Sequence, residues 1–342
     1  MEIEIIPECL QFKKPAGTSR GVYTTRQIYL IKACHNNTIG WGECAPLPDL
    51  SQDALSQDEY LTLLQRFTCE IEMTRQIPYE ELRPYPSMLM GLESAMRHLH
   101  SGSWHHYPHT KFSKAESGIP INGLVWMGNI EEMSQRMQQK LKEGYTCIKL
   151  KIGALDFDDE LQLVKKIRRQ YSSTDVEIRV DANGGFQPGD GCMKKLEQLA
   201  QLNVHSIEQP IKQNQLDDLA KICQNSPIPI ALDEELIGVN SLSEKKELLQ
   251  YVRPQYIVLK PSLHGGFYGA EEWINEARKL NIKWWVTSAL ESNIGLNAIA
   301  QWTALQSNDQ YSMAQGLGTG LLFVRNFDEV PLKLANGKLY TF

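Results

Sequence analysis

Hydrophobic positions along this chain change their period about a third of the way through. Met1-Glu2-Ile3-Glu4-Ile5-Ile6 alternates as a strand does, and Thr24 to Ala33 reads as a second strand. Asn36-Asn37 is a turn signal, and Ile39-Gly40-Trp41-Gly42-Glu43 follows it, so the pattern predicts a hairpin. Helical spacing then predicts helices over about 56–73 and 87–100. Strands followed by helices describe an α+β domain, and the Gly-, Pro-, Ser- and His-containing stretch Ser101 to Gly118 predicts a connector. From Ile119 short apolar runs alternate with helical stretches. A helix over about 129–143 puts Ile130, Met133, Met137 and Leu141 on one face, and Gly144 stops it. Later helices carry Leu161, Val164 and Ile167, then Leu216, Leu219 and Cys223. With Ile119–Trp126 as the first strand, Lys283–Thr287 as the seventh and about Gln310–Gln315 as the eighth, the pattern predicts a (β/α)8-type barrel, an α/β architecture. The expected domains are an α+β cap over 1–117 and a barrel over 118–320. The irregular tail, about 321–342, is expected to return to the cap.

Five ionisable positions keep time with this rhythm. Lys151, Asp181, Glu208, Asp233 and Lys260 follow one another at intervals of 30, 27, 25 and 27 residues, each at the C-terminal end of an apolar run. Barrels of this kind place their chemistry at those strand ends. Lys149 lies two residues before Lys151 and shares its face, while Leu150 points away. Singly, each residue has an ordinary reading: Asp181 as a turn residue before Ala182-Asn183-Gly184-Gly185, Glu208 and Asp233 as solvated loop acids, Lys260 as a surface lysine. Their common phase is what points to one mouth. Three carboxylates from adjacent strands suit a hard cation such as Mg²⁺, and the lack of Cys or His at these ends speaks against zinc or copper. Two close ammonium groups are expected to depress a lysine pKa, as a lysine base requires. The metal would stabilise the enediolate formed when a proton leaves the carbon beside a carboxylate.

Charge and composition narrow the partners. The 342 residues are 42% hydrophobic and 22% charged with a net charge of −6, and no basic stripe predicts nucleic-acid binding. Apolar stretches are strand-sized, so no membrane span is expected, and Met1 to Ile6 does not read as a signal peptide. Seven cysteines without a C-x-x-C pair predict reduced thiols in the cytoplasm. Oligomeric state is not set by the sequence. His98, His100, His105, His106 and His109 lie away from every strand mouth and read as a solvated linker. Gly316-x-Gly318-x-Gly320 reads as a tight loop whose N–H groups could meet a carboxylate.

The chain resembles the enolase superfamily, specifically its muconate-lactonizing subgroup and, within that, the o-succinylbenzoate synthase family of menaquinone biosynthesis. The resemblance rests on Thr18–Gly21, Gly40–Pro48, Ile148–Gly153, Arg179–Gly185, Ile207–Pro210, Leu232–Glu235, Leu259–Ser262 and Ser288–Leu296. A Lys or His base acting with Mg²⁺ on an enediolate is the known pattern of that superfamily. The resemblance implies a syn dehydration of 2-succinyl-6-hydroxy-2,4-cyclohexadiene-1-carboxylate to o-succinylbenzoate. It implies that Lys151 takes the α-proton and delivers a proton to the leaving hydroxyl. Lys260, opposite, would stay charged against the ring, and Lys149 would tune Lys151 and contact the substrate carboxylate. Asp181, Glu208 and Asp233 would hold Mg²⁺, for which Mn²⁺ could substitute. Substrate contacts are expected from Arg179, Asn183, Thr18, Ser19, Arg20, Ser288, Glu291 and Gly316, with the Thr18–Gly21 and Ala45–Pro48 loops closing the site.

Two other functions fit parts of the pattern. A racemase or epimerase of the same subgroup, acting on N-acylated amino acids or dipeptides, would use Lys151 and Lys260 from opposite faces. Dipeptide epimerases of the subgroup typically carry Asp-x-Asp after strand eight, whereas Gln315-Gly316-Leu317-Gly318-Thr319 has no acid to hold an ammonium. A barrel that binds a metal or metabolite without turnover would have no need of paired lysines.

Overall fold

The computed structural model describes residues 1–17, 21–126, 128–308, 311 and 313–342, so Thr18, Ser19 and Arg20 fall outside the described residues. The N-terminal part is an antiparallel meander of β1 (Glu2–Gly17), β2 (Val22–His35) and β3 (Thr38–Cys44), with β2 in the middle. Helices α1 (Gln57–Thr74), α2 (Tyr79–Leu82) and α3 (Pro86–Ser101) pack on it around Ile31, Tyr60, Phe67 and Leu92. Ser56 and Glu59 form a capping box that starts α1. A Cβ on Gly42 would stand 2.0 Å from the Gly91 carbonyl oxygen of α3, and one on Gly40 2.2 Å from that of Ala95. The glycines of Gly40-Trp41-Gly42 therefore answer a packing need: the helix backbone rests directly on the strand.

After β4 (Ile119–Pro120) come seven parallel strands, each followed by a helix. They are β5 (Gly123–Val125) and α4 (Ile130–Lys142), β6 (Cys147–Lys151) and α5 (Phe157–Arg168), β7 (Glu177–Asp181) and α6 (Asp190–Gln201), and β8 (Ser206–Glu208) and α7 (Leu216–Asn225). Then come β9 (Ile230–Leu232) and α8 (Leu242–Val252), β10 (Tyr256–Leu259) and α9 (Gly266–Lys279), and β11 (Lys283–Val286) and α10 (Asn293–Ser307). The strands lie side by side in sequence order from β5 to β11. Asn129 caps α4, and the apolar faces of these helices bury Met133, Met137, Leu161, Val164, Ile167, Leu219 and Cys223 against the sheet.

The eighth strand, expected over about Gln310–Gln315, lies in part outside the described residues, at Gln310 and Ser312. Between β11 and β5 the described residues make only single bridges, Thr287 with Gly316 and Ile121 with Gln315. A Cβ on Gly316 would meet Thr287 Oγ1 at 2.2 Å, so the chain passes close against β11 at this point. The Ile119–Trp126 run also divides, since β4 pairs with the tail and β5 with β6. The tail itself reaches both parts of the molecule. Lys13 and Val324 exchange hydrogen bonds with Leu322 and Gln11 along β1, and Phe12 meets Phe323 at 4.6 Å between ring centroids. Beyond that, β12 (Leu332–Ala335) and β13 (Lys338–Thr341) form a hairpin that pairs with β4.

Two buried carboxylates lock the parts together. Glu43, at the end of β3, accepts from the backbone N–H groups of Ser292 and Gly295, each at 2.9 Å, and from the Ser292 hydroxyl. Glu93 of α3 accepts from Phe267 and Tyr268 N–H at 2.6 and 3.2 Å. The first turns of α10 and α9 are thus capped from outside the barrel, by groups of the sign their dipoles favour.

The histidines depart from the solvated linker expected of them. His98 and His106 are buried, with the His98 ring tilted against Trp104 at 4.3 Å between centroids and its Nδ1 accepting the Trp41 N–H at 3.1 Å. The connector folds back over the end of α3, leaving only His100 and His109 of the five exposed. Burial pushes His98 down to about 4 and His106 down to about 3, against an ordinary value of 6.5. The folded state therefore keeps both neutral while the unfolded chain protonates them below about pH 6.5. Thermal stability should fall as the pH drops from 6.5 toward 4. His106→Leu, which removes a buried Nε2 that has no partner, should flatten that slope in a pH series of melting curves; an unchanged slope would show that acid lability arises elsewhere.

Candidate active site

Parallel pairing brings the ladder into line. Lys151 of β6 stands opposite Asp181 of β7, and Asp181 opposite Glu208 of β8. Asp233 and Lys260 directly follow β9 and β10. Oxygen atoms of Asp181, Glu208 and Asp233 lie within 4.8 Å of one another, and all three residues are buried. Lys149 Nζ sits 2.9 Å from Asp181 Oδ2 and bonds to Glu208. Lys151 Nζ donates to the same Asp181 oxygen at 2.6 Å and to Asn183 Oδ1 at 2.8 Å, and Lys260 Nζ donates to Asp233 Oδ2.

The charges shift one another in ways the sequence did not foretell. Burial pulls Lys149 down, but Asp181, Glu208 and Asp233 outweigh it and hold the ammonium above the usual lysine range. Burial likewise opposes Lys260, which Asp233 and Glu234 hold above its ordinary value. The depression expected from adjacent ammonium groups is therefore not found at Lys149, because carboxylates, not the neighbouring lysine, dominate its surroundings. Burial would raise Asp181, and Lys149 and Lys151 reverse this to keep it below the carboxylate range. Glu208 is pushed up to about 7, by burial first and, against the pull of Lys149, by Asp181 and Asp233.

These residues fit a divalent metal. Glu208 Oε1 and Asp233 Oδ1 are buried without a hydrogen-bond partner. The donor set is all oxygen, which suits a hard cation. Burial first, and then Asp181 and Asp233, disfavour the charged form of Glu208, and a dication beside it would offset both. Among the described residues this is the one such group of His, Cys, Asp or Glu side chains.

Lys149, Lys151, Asn183, Lys260, Ser288 and Gly316 line a cavity of about 660 Å³, walled also by Leu47, Trp126, Leu263, Ala289 and Leu290. Two expected contacts do not reach it. Arg179 shares the inward face of β7 with Asp181 but lies two residues deeper, where it bonds to Glu177 and the Ala314 carbonyl and stacks 4.5 Å from Trp285. Glu291 is wholly buried, accepting from the Ser262 hydroxyl and, at 2.6 Å, from the Ala289 N–H. Glu234 is among the lining residues that the sequence reading missed. Glu234 accepts from Asn183 Nδ2 at 2.8 Å, so the Asn183 amide must turn its oxygen toward Lys151. The signal available was its place beside Asp233 in an Asp-Glu-Glu run, although adjacency in a loop says nothing of direction.

Comparison with known proteins places this geometry. Residues 132–341 match the family model for an enolase C-terminal domain-like region, and residues 18–99 the model for a MenC N-terminal domain. The chain is 42% identical to an o-succinylbenzoate synthase of Desulfotalea psychrophila, covering 98% of this chain and 97% of that one. The crystal structure of MenC from Desulfotalea psychrophila superposes with a TM-score of 0.83 at 38% identity, over 100% and 99% of the two chains. An L-Ala-D/L-Glu epimerase structure from Bacillus subtilis superposes with a TM-score of 0.84 at 20% identity, over 100% and 96%, a likeness of fold alone.

Titration with Mn²⁺ should show one tight site per chain. Glu208→Gln should weaken it by more than the roughly 10- to 100-fold that loss of an outer hydrogen-bond partner costs; equal affinity in the variant would place the ion elsewhere.

Proposed function

The chain belongs to the o-succinylbenzoate synthase family of the enolase superfamily, and we propose that it catalyses that family's syn dehydration of 2-succinyl-6-hydroxy-2,4-cyclohexadiene-1-carboxylate in menaquinone biosynthesis. It is a carbon–oxygen lyase of the hydro-lyase type. The observation that carries this reading is the placement of Lys151 and Lys260, from β6 and β10, around one cavity beside three buried carboxylates.

Asp181, Glu208 and Asp233 would hold Mg²⁺, with Mn²⁺ as a substitute, and the bound cation would supply positive charge beside the substrate carboxylate. Lys151 takes that proton at Nζ. The hydroxyl that departs lies on the same face of the ring, so the same nitrogen returns a proton to it. Asp181 and Asn183 hold Lys151 Nζ at the cavity wall, and Glu234 holds Asn183. Lys260, anchored by Asp233, stays protonated and faces the ring as a cation. Lys149 contributes charge beside Asp181 and Glu208 and contacts the substrate carboxylate. Thr18, Ser19 and Arg20 are proposed to close the site from the cap, with Ser288 and Gly316 on the barrel side.

The substrate is a small carboxylate, and neither nucleic acid nor a membrane takes part. Among the described residues no helix is long and apolar enough to cross a membrane. All seven cysteines are unpaired, which supports a reducing, cytoplasmic setting.

Racemisation of an N-succinyl amino acid is the second reading, favoured by the matched Lys151–Asp181 and Lys260–Asp233 pairs. The lysines separate the two. Lys151→Ala should cost dehydration at least the roughly 10²- to 10⁴-fold typical of a general acid–base group. Lys260→Arg should retain more dehydration than Lys260→Ala, whereas in racemisation loss of either lysine stops the reaction. Dehydration surviving in Lys151→Ala but lost in Lys260→Ala would put the base on the other side of the barrel. Chelation should abolish turnover and Mg²⁺ restore it, and full activity in EDTA would remove the metal from the mechanism.

A further inference from the structure

We propose that Arg26 is a positioning residue that fixes the substrate cavity by binding its cap wall to its barrel wall. Arg26 belongs to β2 and is 2% exposed. Its hydrogen bonds run to four main-chain carbonyls, two in each part of the molecule. Nη1 and Nη2 donate to Pro46 and Ala45 in the cap, the latter at 2.6 Å. Nε donates to Leu290 at 3.3 Å and Nη2 to Ala289 at 3.4 Å in the loop after β11. Leu47, Ala289 and Leu290 line the cavity. The guanidinium thus joins two chain segments, one from each part of the molecule, that both contribute to the lining of one site.

Its surroundings make the arrangement costly unless it serves the site. Leu10, Ile28, Leu30, Ala45, Leu47, Leu263 and Ile294 form an apolar cluster at this boundary, and a buried charge there needs every donor engaged. Burial lowers the Arg26 pKa, and the nearby charges of Glu291 and Glu43 oppose that. The barrel loop is itself strained. Leu290 has φ +66°, a left-handed conformation that a branched side chain keeps only where its neighbours hold it. Its carbonyl is one of the four Arg26 acceptors. A planar fork of donors spreads over carbonyls of two loops in this way, whereas a lysine presents its donors from one atom and holds fewer of them.

The proposal rests on the dehydratase reading only for its kinetic readout. Arg26→Ala and Arg26→Lys are compared with the wild type by steady-state kinetics, Mn²⁺ titration and hydrogen exchange over residues 45–48 and 288–291. Arg26→Ala should raise KM by at least about tenfold, the scale of a charged hydrogen bond, with Mn²⁺ affinity within about twofold of wild type. Exchange in both segments should quicken together, and guanidinium chloride below denaturing concentration should recover part of the KM. Arg26→Lys should fall between the two, and it carries the test if Arg26→Ala does not fold. Wild-type KM with unchanged exchange in a folded variant, or a loss that Mn²⁺ affinity shares equally, would overturn the proposal. If the wild type fails to dehydrate the substrate while exchange still quickens in the variants, the positioning role stands and the assigned reaction falls.

Discussion

Everything in this barrel's mouth depends on how three buried carboxylates are kept together. Two charges at 4.8 Å repel by roughly 3 kcal/mol at the effective dielectric of about 20 suited to protein sites, and Asp181, Glu208 and Asp233 stand at least that close. Lys149, Lys151 and Lys260 supply three opposing charges, each bonded to at least one of the acids. Such a cluster costs more to assemble than apolar packing would, and strands β6 to β10 hold it in place at their ends. The groups proposed to move protons are therefore also the groups that make the site's acidity tolerable. A substitution at any of them alters both.

Much of this was legible in the sequence, for a definite reason. One βα unit per ionisable residue is a period, and a period survives uncertainty about where each strand begins. Lys151, Asp181 and Glu208 prove to be in register across neighbouring strands, as their recurring spacing of about one βα unit suggested. Depth was not legible. Arg179 and Asp181 share a face and differ by two residues, yet one lies inside the barrel and the other at its rim. Sign was misjudged where proximity along the strand stood in for proximity in space. Lys149 is two residues from Lys151, but its ammonium faces Asp181 and Glu208. The burial of the histidines was not legible because the connector folds back on α3, bringing Trp104 against His98, and because Trp41, from β3, reaches the same ring.

The first part of the chain serves the barrel in two separable ways. Arg26 and the Ala45–Leu47 segment meet the cavity directly. Glu43 and Glu93 act at a distance from it by completing helices that follow β11 and β10. Sheet and helix are pressed close through Gly40, Gly42 and Gly91, so β3 delivers Glu43 from a backbone with little freedom to shift.

That arrangement has a bearing on when the molecule can be finished. Ser292 receives its cap from Glu43, 249 residues earlier, and Phe267 from Glu93, 174 residues earlier. A chain made from its N-terminus holds both carboxylates without their amide partners until most of it has been synthesised. Closure of the last two βα units is thus tied to the oldest part of the chain, and pairing at such separation is slow to form.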